Sequence, residues 1–234
     1  EGAPAGVTVN LTTGVSSGGA GNDTLKNIQN LLGSNFDDLL HGDDGPNRLD
    51  GGLFSDDSLW GHGGDDILDG NLGQDTARYD DAVAAVTVDL VLGTATGGDG
   101  KDTLISIEHV VGSAFADLLI GNDLANDLDG AGGADIIRGG LGNDRLFGQD
   151  GDDQLTGGAG DDRLDGGKGT DRADYFAVAG IVLADLSLGT VSSADGNDTL
   201  IGIESVSGSN TGDDRLTGDG NANVLEGWGG NDTL

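Results

Sequence analysis

A nine-residue repeat rich in glycine and aspartate constrains this chain more than any other feature. From Gly139 the sequence reads GGLGNDRLF, GQDGDDQLT, GGAGDDRLD and GGKGTDRAD, and three looser units precede these in strict register from Gly112. Repeats of fixed period are the signature of architectures in which each unit packs against its neighbours in sequence. The chain is therefore predicted to be a solenoid and not a domain built around a few large side chains.

A second, longer repeat organises the nine-residue units into three arrays. The arrays cover residues 33–78, 112–174 and 208–234, and each follows a similar block that begins VTVNL, VTVDL or VLADL. These boundaries predict three copies of one long unit, at 1–85, 86–181 and 182–234, within one continuous solenoid. Because the first residue is Glu1 and the last repeat stops mid-unit at Leu234, we expect a fragment of a longer protein.

The residue types within one unit predict its local structure. Glycine at positions 1, 2 and 4 permits positive φ and close backbone approach, so the first six positions are expected to form a turn. Position 8 is an aliphatic residue that would point inward from a short strand. Two nonapeptides close one coil, which gives an all-β fold of two parallel sheets with essentially no helix. The expected core residues are Leu40, Leu68, Leu119, Leu128, Ile137, Leu146, Leu155 and Leu164.

The charge of the chain limits its partners. It carries 42 acidic against 10 basic residues, a net charge of -32. Such a chain would repel nucleic acid and anionic membrane surfaces, and no apolar run approaches the ~20 residues needed to cross a bilayer. The absence of cysteine excludes disulfides and thiolate metal sites. Divalent cations are the partners that this composition predicts, and no insertion into a membrane is expected.

The aspartate at position 6 is the candidate metal ligand. It recurs on the same side of the solenoid every second unit, so Asp135, Asp153 and Asp171 should form one column, and Asp144 and Asp162 another. Carboxylates stacked at about 4.8 Å repel one another unless a cation lies between them. Ca²⁺ accepts carboxylate and carbonyl oxygens together, whereas Mg²⁺ demands a stricter octahedron and Zn²⁺ favours histidine or cysteine.

These arrays closely resemble the hemolysin-type calcium-binding repeats, also called RTX repeats, which occur in bacterial toxins, proteases, lipases, alginate epimerases and S-layer proteins. The resemblance implies a right-handed parallel β-roll that binds several Ca²⁺ ions between its turns. It also implies an extracellular or cell-surface protein that is exported by a type I secretion system and folds in extracellular calcium. Carried over by position, the best candidate ligands are Asp66, Asp75, Asp135, Asp144, Asp153, Asp162 and Asp171.

Several further aspartates are weaker candidates for calcium ligation. Asp38, Asp57 and Asp117 belong to turns that lack glycines or adjoin an insertion, and Asp232 belongs to the last, incomplete unit. Asp23 and Asp102 lie in well-formed units outside the arrays, with no obvious partner turn one coil away. The second unit of every array has asparagine at position 6, and we expect these turns to be hydrogen-bonded and metal-free. They contain Asn47, Asn126 and Asn223.

No catalytic constellation is visible. The segment GVSSG at 14–18 matches a nucleophile-elbow pattern, but no helix is expected after it and Ala95 replaces the serine in the second copy. His41, His62 and His109 share no spacing and are expected in surface or turn roles. Tyr79 and Tyr175 end corresponding arrays and are expected to pack over the ends of coils.

Two interpretations of the parent protein stay open from sequence. The module is either a structural stalk, adhesin, S-layer or filament segment, or an accessory module of a secreted enzyme such as a protease, lipase or epimerase. Self-association and attachment to a cell surface are also left open.

Overall fold

The computed structural model describes residues 3–19 and 21–234, and the described residues form strands and turns with no helix. Glu1, Gly2 and Ala20, the last of which belongs to the nonapeptide-like turn at 18–26, lie outside them. The contacts divide the chain into two compact units, Glu1–Ala114 and Phe115–Leu234. The boundaries of the long sequence repeat, at 85/86 and 181/182, fall inside these units. Within the described residues, no helix has the length and apolar character to cross a membrane.

Unit 1 consists of thirteen described strands in two sheets. One sheet has the order β13-β9-β7-β5-β1-β2-β3 and the other the order β10-β11-β12-β8-β6-β4. The strands are β1 (Val7–Asn10), β2 (Val15–Gly18), β3 (Asp23–Thr24), β4 (Asn30–Leu32), β5 (Leu39–His41), β6 (Arg48–Asp50), β7 (Ser58–Trp60), β8 (Ile67–Asp69), β9 (Thr76–Arg78), β10 (Val86–Asp89), β11 (Thr94–Gly97), β12 (Gly100–Ile105) and β13 (His109–Val111).

Unit 2 also has thirteen described strands in two sheets. One sheet has the order β25-β21-β22-β23-β19-β17-β15 and the other the order β26-β24-β20-β18-β16-β14. The strands are β14 (Leu118–Ile120), β15 (Asp127–Asp129), β16 (Ile136–Leu141), β17 (Arg145–Asp150), β18 (Gln154–Ala159), β19 (Arg163–Lys168), β20 (Arg172–Asp174), β21 (Leu183–Asp185), β22 (Thr190–Ser192), β23 (Asn197–Ile201), β24 (Ser205–Ser207), β25 (Arg215–Thr217) and β26 (Val224–Glu226).

Successive nonapeptides alternate between the two sheets, so each coil contains two of them. In unit 2, β15 pairs with β17 in parallel with Leu128 opposite Leu146, which is the register of two nonapeptides that the sequence predicts. In unit 1 the register between β5 and β7 is longer by a single position, with Leu40 opposite Leu59. The unit at 51–60 has ten residues instead of nine and supplies the extra position. Phe54 within it adopts a positive φ of 66°.

The core is a ladder of single aliphatic side chains between the sheets. All eight core residues predicted from sequence have 0 % exposure, which confirms that prediction; they are Leu40, Leu68, Leu119, Leu128, Ile137, Leu146, Leu155 and Leu164. Each strand that contains one of these eight residues contributes that one aliphatic side chain to the ladder, and the apolar surface is removed from water only when coils stack. The prediction of a parallel β-roll with two nonapeptides per coil is confirmed.

The connecting blocks depart from the purely parallel pattern. Each forms an antiparallel meander of three strands, β1-β2-β3, β10-β11-β12 or β21-β22-β23. The last strand of the second and third meanders pairs in parallel with the roll, as β23 does with β19, where Leu164 lies opposite Leu200. The third meander thus inserts two extra strands into one sheet, whereas the other sheet continues in parallel from β20 to β24.

Candidate metal centre

Each turn folds the carboxylate at position 6 back over the glycine at position 1. A Cβ atom on Gly148 would collide with the Asp153 carboxylate, and one on Gly157 would collide with that of Asp162. Glycine at position 2 is needed for another reason, because Gly158 has φ +105° and its Cβ would meet the Gly140 carbonyl of the adjacent coil. The glycines of the repeat are therefore what allows the aspartate to be buried inside the turn.

One oxygen of each aspartate links adjacent coils. The Asp135 N–H donates to Asp153 Oδ1 at 2.8 Å, and the Asp153 N–H donates to Asp171 Oδ1 at 2.9 Å. On the opposite edge the Asp144 N–H donates to Asp162 Oδ1 at 2.8 Å. The two columns expected from the coil period are thus present, and each is held by charge-assisted hydrogen bonds between the backbone and the carboxylates.

The second oxygen of the same aspartates has no hydrogen-bond partner although it is buried. This holds for Oδ2 of Asp66, Asp75, Asp135, Asp144, Asp153, Asp162 and Asp171. These are the seven best candidate ligands from sequence, and each residue is at most 3 % exposed. A buried acceptor without a partner costs about 1–3 kcal/mol, and more when it is charged. We call the turns that contain these seven residues the open turns.

Burial makes these carboxylates costly to ionise without a counter-ion. Desolvation is the largest effect, and it raises the pKa of Asp66, Asp75, Asp135 and Asp144 from 3.8 to about 7. Neighbouring carboxylates add to the rise, as Asp162 does for Asp144, whereas the backbone hydrogen bond from Asn126 opposes it. Burial likewise raises the pKa of Asp162 and Asp171 to about 6 and raises that of Asp153.

The chemistry of the open turns fits a hard cation. Each turn offers an unpaired carboxylate oxygen beside a glycine-rich backbone with carbonyl groups, and both are calcium ligands. In the described part of the chain, no group of three or more His, Cys, Asp or Glu side chains converges as a metal site. A cation at an open turn would consequently need backbone carbonyls for most of its ligands, which suits Ca²⁺ and does not suit Zn²⁺.

The asparagine turns are built differently. Asn47 Oδ1 accepts the Asp43 N–H at 2.7 Å, Asn126 Oδ1 accepts the Asn122 N–H at 2.8 Å, and Asn223 Oδ1 accepts the Asp219 N–H at 2.8 Å. The side-chain oxygen therefore bonds to the backbone of its own turn, as expected for hydrogen-bonded turns. We call these three the capped turns.

Asp38, Asp57 and Asp117 are buried, but in Asp38 and Asp57 the second oxygen, Oδ2, already accepts a hydrogen bond. Asp38 Oδ2 accepts the Ser34 N–H, and Asp57 Oδ2 accepts the Ser55 hydroxyl at 3.3 Å. The Asp117 N–H donates to Asp135 Oδ1, which places Asp117 next to Asp135 in that column.

The aspartates outside the complete units of the arrays have different surroundings. Asp23 is exposed in β3, and Asp232 is half-buried with its Oδ1 accepting the Asp214 N–H. Asp102 is buried and joins the column of Asp66. The two residues are 36 positions apart in sequence, twice the usual spacing, because the meander intervenes.

Several residues of the columns were not singled out from the sequence. Asp198 occupies in unit 2 the place that Asp102 has in unit 1, and the long repeat could have revealed it. Glu108 and Glu204 accept the backbone N–H groups of Asp75 and Asp171. Their role could not be read from a nine-residue pattern, because they lie beyond a meander, at a distance in sequence that is not a multiple of the repeat.

The aromatic and histidine residues have structural surroundings. The His41 ring stacks on Trp60 with 4.1 Å between centroids, and His62 Nδ1 lies 2.7 Å from Asp81 Oδ2. Tyr79 and Tyr175 are buried, as expected for side chains that pack over the ends of coils. The GVSSG segment includes strand β2 and is followed by a further short strand.

Comparison with known families agrees with this geometry. The family model for the RTX calcium-binding nonapeptide repeat matches residues 15–26, 32–53, 52–77, 111–146, 138–173 and 209–234. These matches cover more than half of the chain, so the protein belongs to the RTX calcium-binding repeat family. It is a calcium-binding repeat module of the kind found in secreted proteins. A search of curated proteins found no match.

Proposed function

We propose that the chain is a structural module that folds when Ca²⁺ binds to its open turns. The observation that carries this proposal is the set of seven buried carboxylate oxygens without a hydrogen-bond donor. At neutral pH the ionised columns would repel one another and oppose the stacking of coils. A cation that bridges the open oxygen and nearby carbonyls would remove both the repulsion and the unsatisfied acceptor. The seven open aspartates are the ligands that we propose.

The energetic scale is sufficient for a folding switch. A ligand that binds only the folded state, at 100 times its dissociation constant, stabilises that state by about 2.7 kcal/mol per site. Folded domains are stable by only about 5–15 kcal/mol, so a few sites decide whether the roll forms. In a calcium-poor cytoplasm the chain would stay open, which suits passage through a type I secretion system. Outside the cell, calcium would complete the fold.

Within the parent protein we propose the role of a spacer, as in a stalk, adhesin, S-layer or filament segment. The supporting observation is that both units contain a meander followed in its sheet by three parallel strands of the roll, β8-β6-β4 in one and β19-β17-β15 in the other. Duplication of such an arrangement lengthens a solenoid without changing its cross-section. Self-association and attachment to a cell surface would both suit such a spacer.

A calcium titration of the full chain, followed by far-UV circular dichroism, tests the folding switch. We expect a cooperative gain of β signal with Ca²⁺, reversal by EGTA, and little response to the same concentrations of Mg²⁺. Asp144→Asn with Asp162→Asn removes one open column of unit 2 and should shift the midpoint to higher calcium. A chain that is fully folded in EGTA at neutral pH would contradict the proposal.

A further inference from the structure

The column of open turns at one edge of unit 2 ends at Asp198. The Asp162 N–H donates to Asp198 Oδ1 at 3.0 Å, so Asp198 stacks on Asp162 as Asp162 stacks on Asp144. The second oxygen differs from those of the open turns, because the Tyr175 hydroxyl donates to Asp198 Oδ2 at 2.8 Å. Tyr175 is 4 % and Asp198 5 % exposed. The Oδ2 atom of the last carboxylate in this column therefore has a hydrogen-bond donor, whereas Oδ2 of Asp144 and Asp162 has none.

Unit 1 contains the same arrangement. The Asp66 N–H donates to Asp102 Oδ1 at 3.0 Å, and the Tyr79 hydroxyl donates to Asp102 Oδ2 at 3.0 Å. In both units the tyrosine and the aspartate are 23 residues apart. The tyrosine closes the array, and the aspartate lies in the last strand of the meander. Two occurrences of one geometry argue against a chance contact of a packed ring.

The meander then separates one column from the next. In unit 2, β22 and β21 lie between β23, which contains Asp198, and β25, which follows Asp214. With strands 4.7–4.9 Å apart, this displaces the next carboxylate on that side by roughly 14 Å. The column resumes there, where the Asp214 N–H donates to Asp232 Oδ1. No ion could bridge Asp198 and Asp214 across that gap.

The opposite edge of unit 2 also ends without an open turn. The Asp171 N–H donates to Glu204 Oε2, and the Asn223 side chain donates to the Glu204 carbonyl at 3.4 Å. The turn of Asn223 is capped by its own amide oxygen. Both edges thus pass from open turns to satisfied side chains at the level of the same meander.

We propose that Tyr79 and Tyr175 terminate the calcium columns, each hydroxyl taking the place on the last aspartate that Ca²⁺ takes on the preceding ones. Asp102 and Asp198 then bind no ion, and each array loads calcium as a separate block. A hydroxyl that donates to an ionised carboxylate satisfies it without a cation, through a charge-assisted hydrogen bond. This inference rests on the proposed function, because it presumes that the open aspartates are the calcium ligands.

The test counts the calcium ions bound per chain, by equilibrium dialysis of the full chain at the lowest Ca²⁺ concentration that saturates the wild type, followed by atomic emission. Asp162→Asn and Asp198→Asn form a matched pair, since both residues lie in one column and accept a backbone N–H through Oδ1. We expect D162N to bind fewer ions than the wild type and D198N to bind the wild-type number. Loss of an ion in D198N would overturn the proposal that the column of calcium ions ends before Asp198.

Tyr175→Phe tests the hydroxyl itself. It removes the donor and leaves Asp198 with an unpaired oxygen, so we expect one additional ion per chain; an unchanged count would overturn the role of the hydroxyl. D198N keeps an acceptor for Tyr175 and needs no loss of packing, so the proposal stays testable if Y175F does not fold. A D162N chain with the wild-type ion count would instead overturn the proposed ligands, which distinguishes the two failures.

Discussion

Open and capped turns both donate a backbone N–H to the next coil of their column. They differ in whether a buried side-chain oxygen is left without a hydrogen-bond donor. In the capped turns of Asn47 and Asn126, as in the open turns, the backbone N–H at position 6 donates to the next carboxylate of its column. In the capped turn, Asn126 Oδ1 accepts the N–H of Asn122. In the open turn, Asp144 Oδ2 accepts nothing. The capped turn is complete as it stands, whereas the open turn is complete only with a cation or a proton.

This difference divides the stability of the roll into two parts. The aliphatic ladder includes both kinds of turn, and backbone N–H groups of both kinds donate to the Oδ1 atoms of open turns, as Asn126 and Asp144 do. Neither contact requires a metal. The open turns oppose folding whenever their carboxylates are ionised and unpartnered, because a buried charge without compensation is costly. Folding can therefore depend on calcium even though the core of the roll is an ordinary apolar one.

The largest effect that we expect from the open turns is that calcium reverses the pH dependence of folding. Without metal, a carboxyl whose folded pKa lies above its ordinary value stabilises the fold below that ordinary value, and the contribution is lost as pH rises through the folded pKa. For Asp66, Asp75, Asp135 and Asp144 the window runs from 3.8 to about 7. Each group contributes at most roughly 1.4 kcal/mol per pH unit within it. In EGTA, β signal should therefore increase as pH falls from 8 to 5.

Saturating calcium should give the opposite trend, because Ca²⁺ binds the ionised carboxylate and protons compete with it. Circular dichroism titrations with pH, in EGTA and in calcium, measure both curves. The capped turns contribute to neither, since asparagine does not titrate. Two parallel curves would show that the open carboxylates are not the groups that couple folding to calcium.

The contribution of a core leucine to stability should be the same whether its nonapeptide has an open or a capped turn. Leu146 belongs to the open nonapeptide of Asp144 and Leu128 to the capped one of Asn126, and both are fully buried. We expect Leu146→Ala and Leu128→Ala each to lower the free energy of unfolding by about 2–5 kcal/mol in saturating calcium. Urea unfolding measures both. A much smaller loss of unfolding free energy in L128A would mean that the core is loosely packed beside capped turns, so that the two kinds of turn differ in their packing as well as in their side-chain oxygens.

Removal of the charge from an open turn should weaken calcium binding without unfolding the roll. In Asp153→Asn the amide oxygen can still accept the Asp135 N–H, but the charge is lost. We expect the calcium midpoint to rise about tenfold, equivalent to about 1.4 kcal/mol, because ligand charge sets the affinity of calcium sites. Asp150→Asn is the control, since this exposed carboxylate pairs with Lys168. An equal shift in D150N would attribute the effect to overall charge.

The sequence predicted the parallel roll, its coil length and the buried leucines because a strict nine-residue period determines all three. The same period placed Asp135, Asp153 and Asp171 in one column. It did not predict the meanders, because their antiparallel pairing depends on contacts between segments with no fixed spacing. For the same reason it could not assign Tyr175 to Asp198, a contact made only after the chain has left the roll and returned. Asparagine at position 6 did indicate the capped turns.

The smallest expected effect tests whether charge or hydrogen bonding separates the two kinds of turn. Asn126→Asp introduces a carboxylate but keeps an oxygen in position to accept the Asn122 N–H, as Asp38 accepts the Ser34 N–H and Asp214 the Ser209 N–H. We expect the calcium midpoint of N126D to change by less than about twofold. Titration beside Asp144→Asn, the next residue of the same column, provides the matched comparison. A tenfold lower midpoint with one more bound ion would show that charge alone makes a turn bind calcium, and that the cap is a consequence of the missing ion.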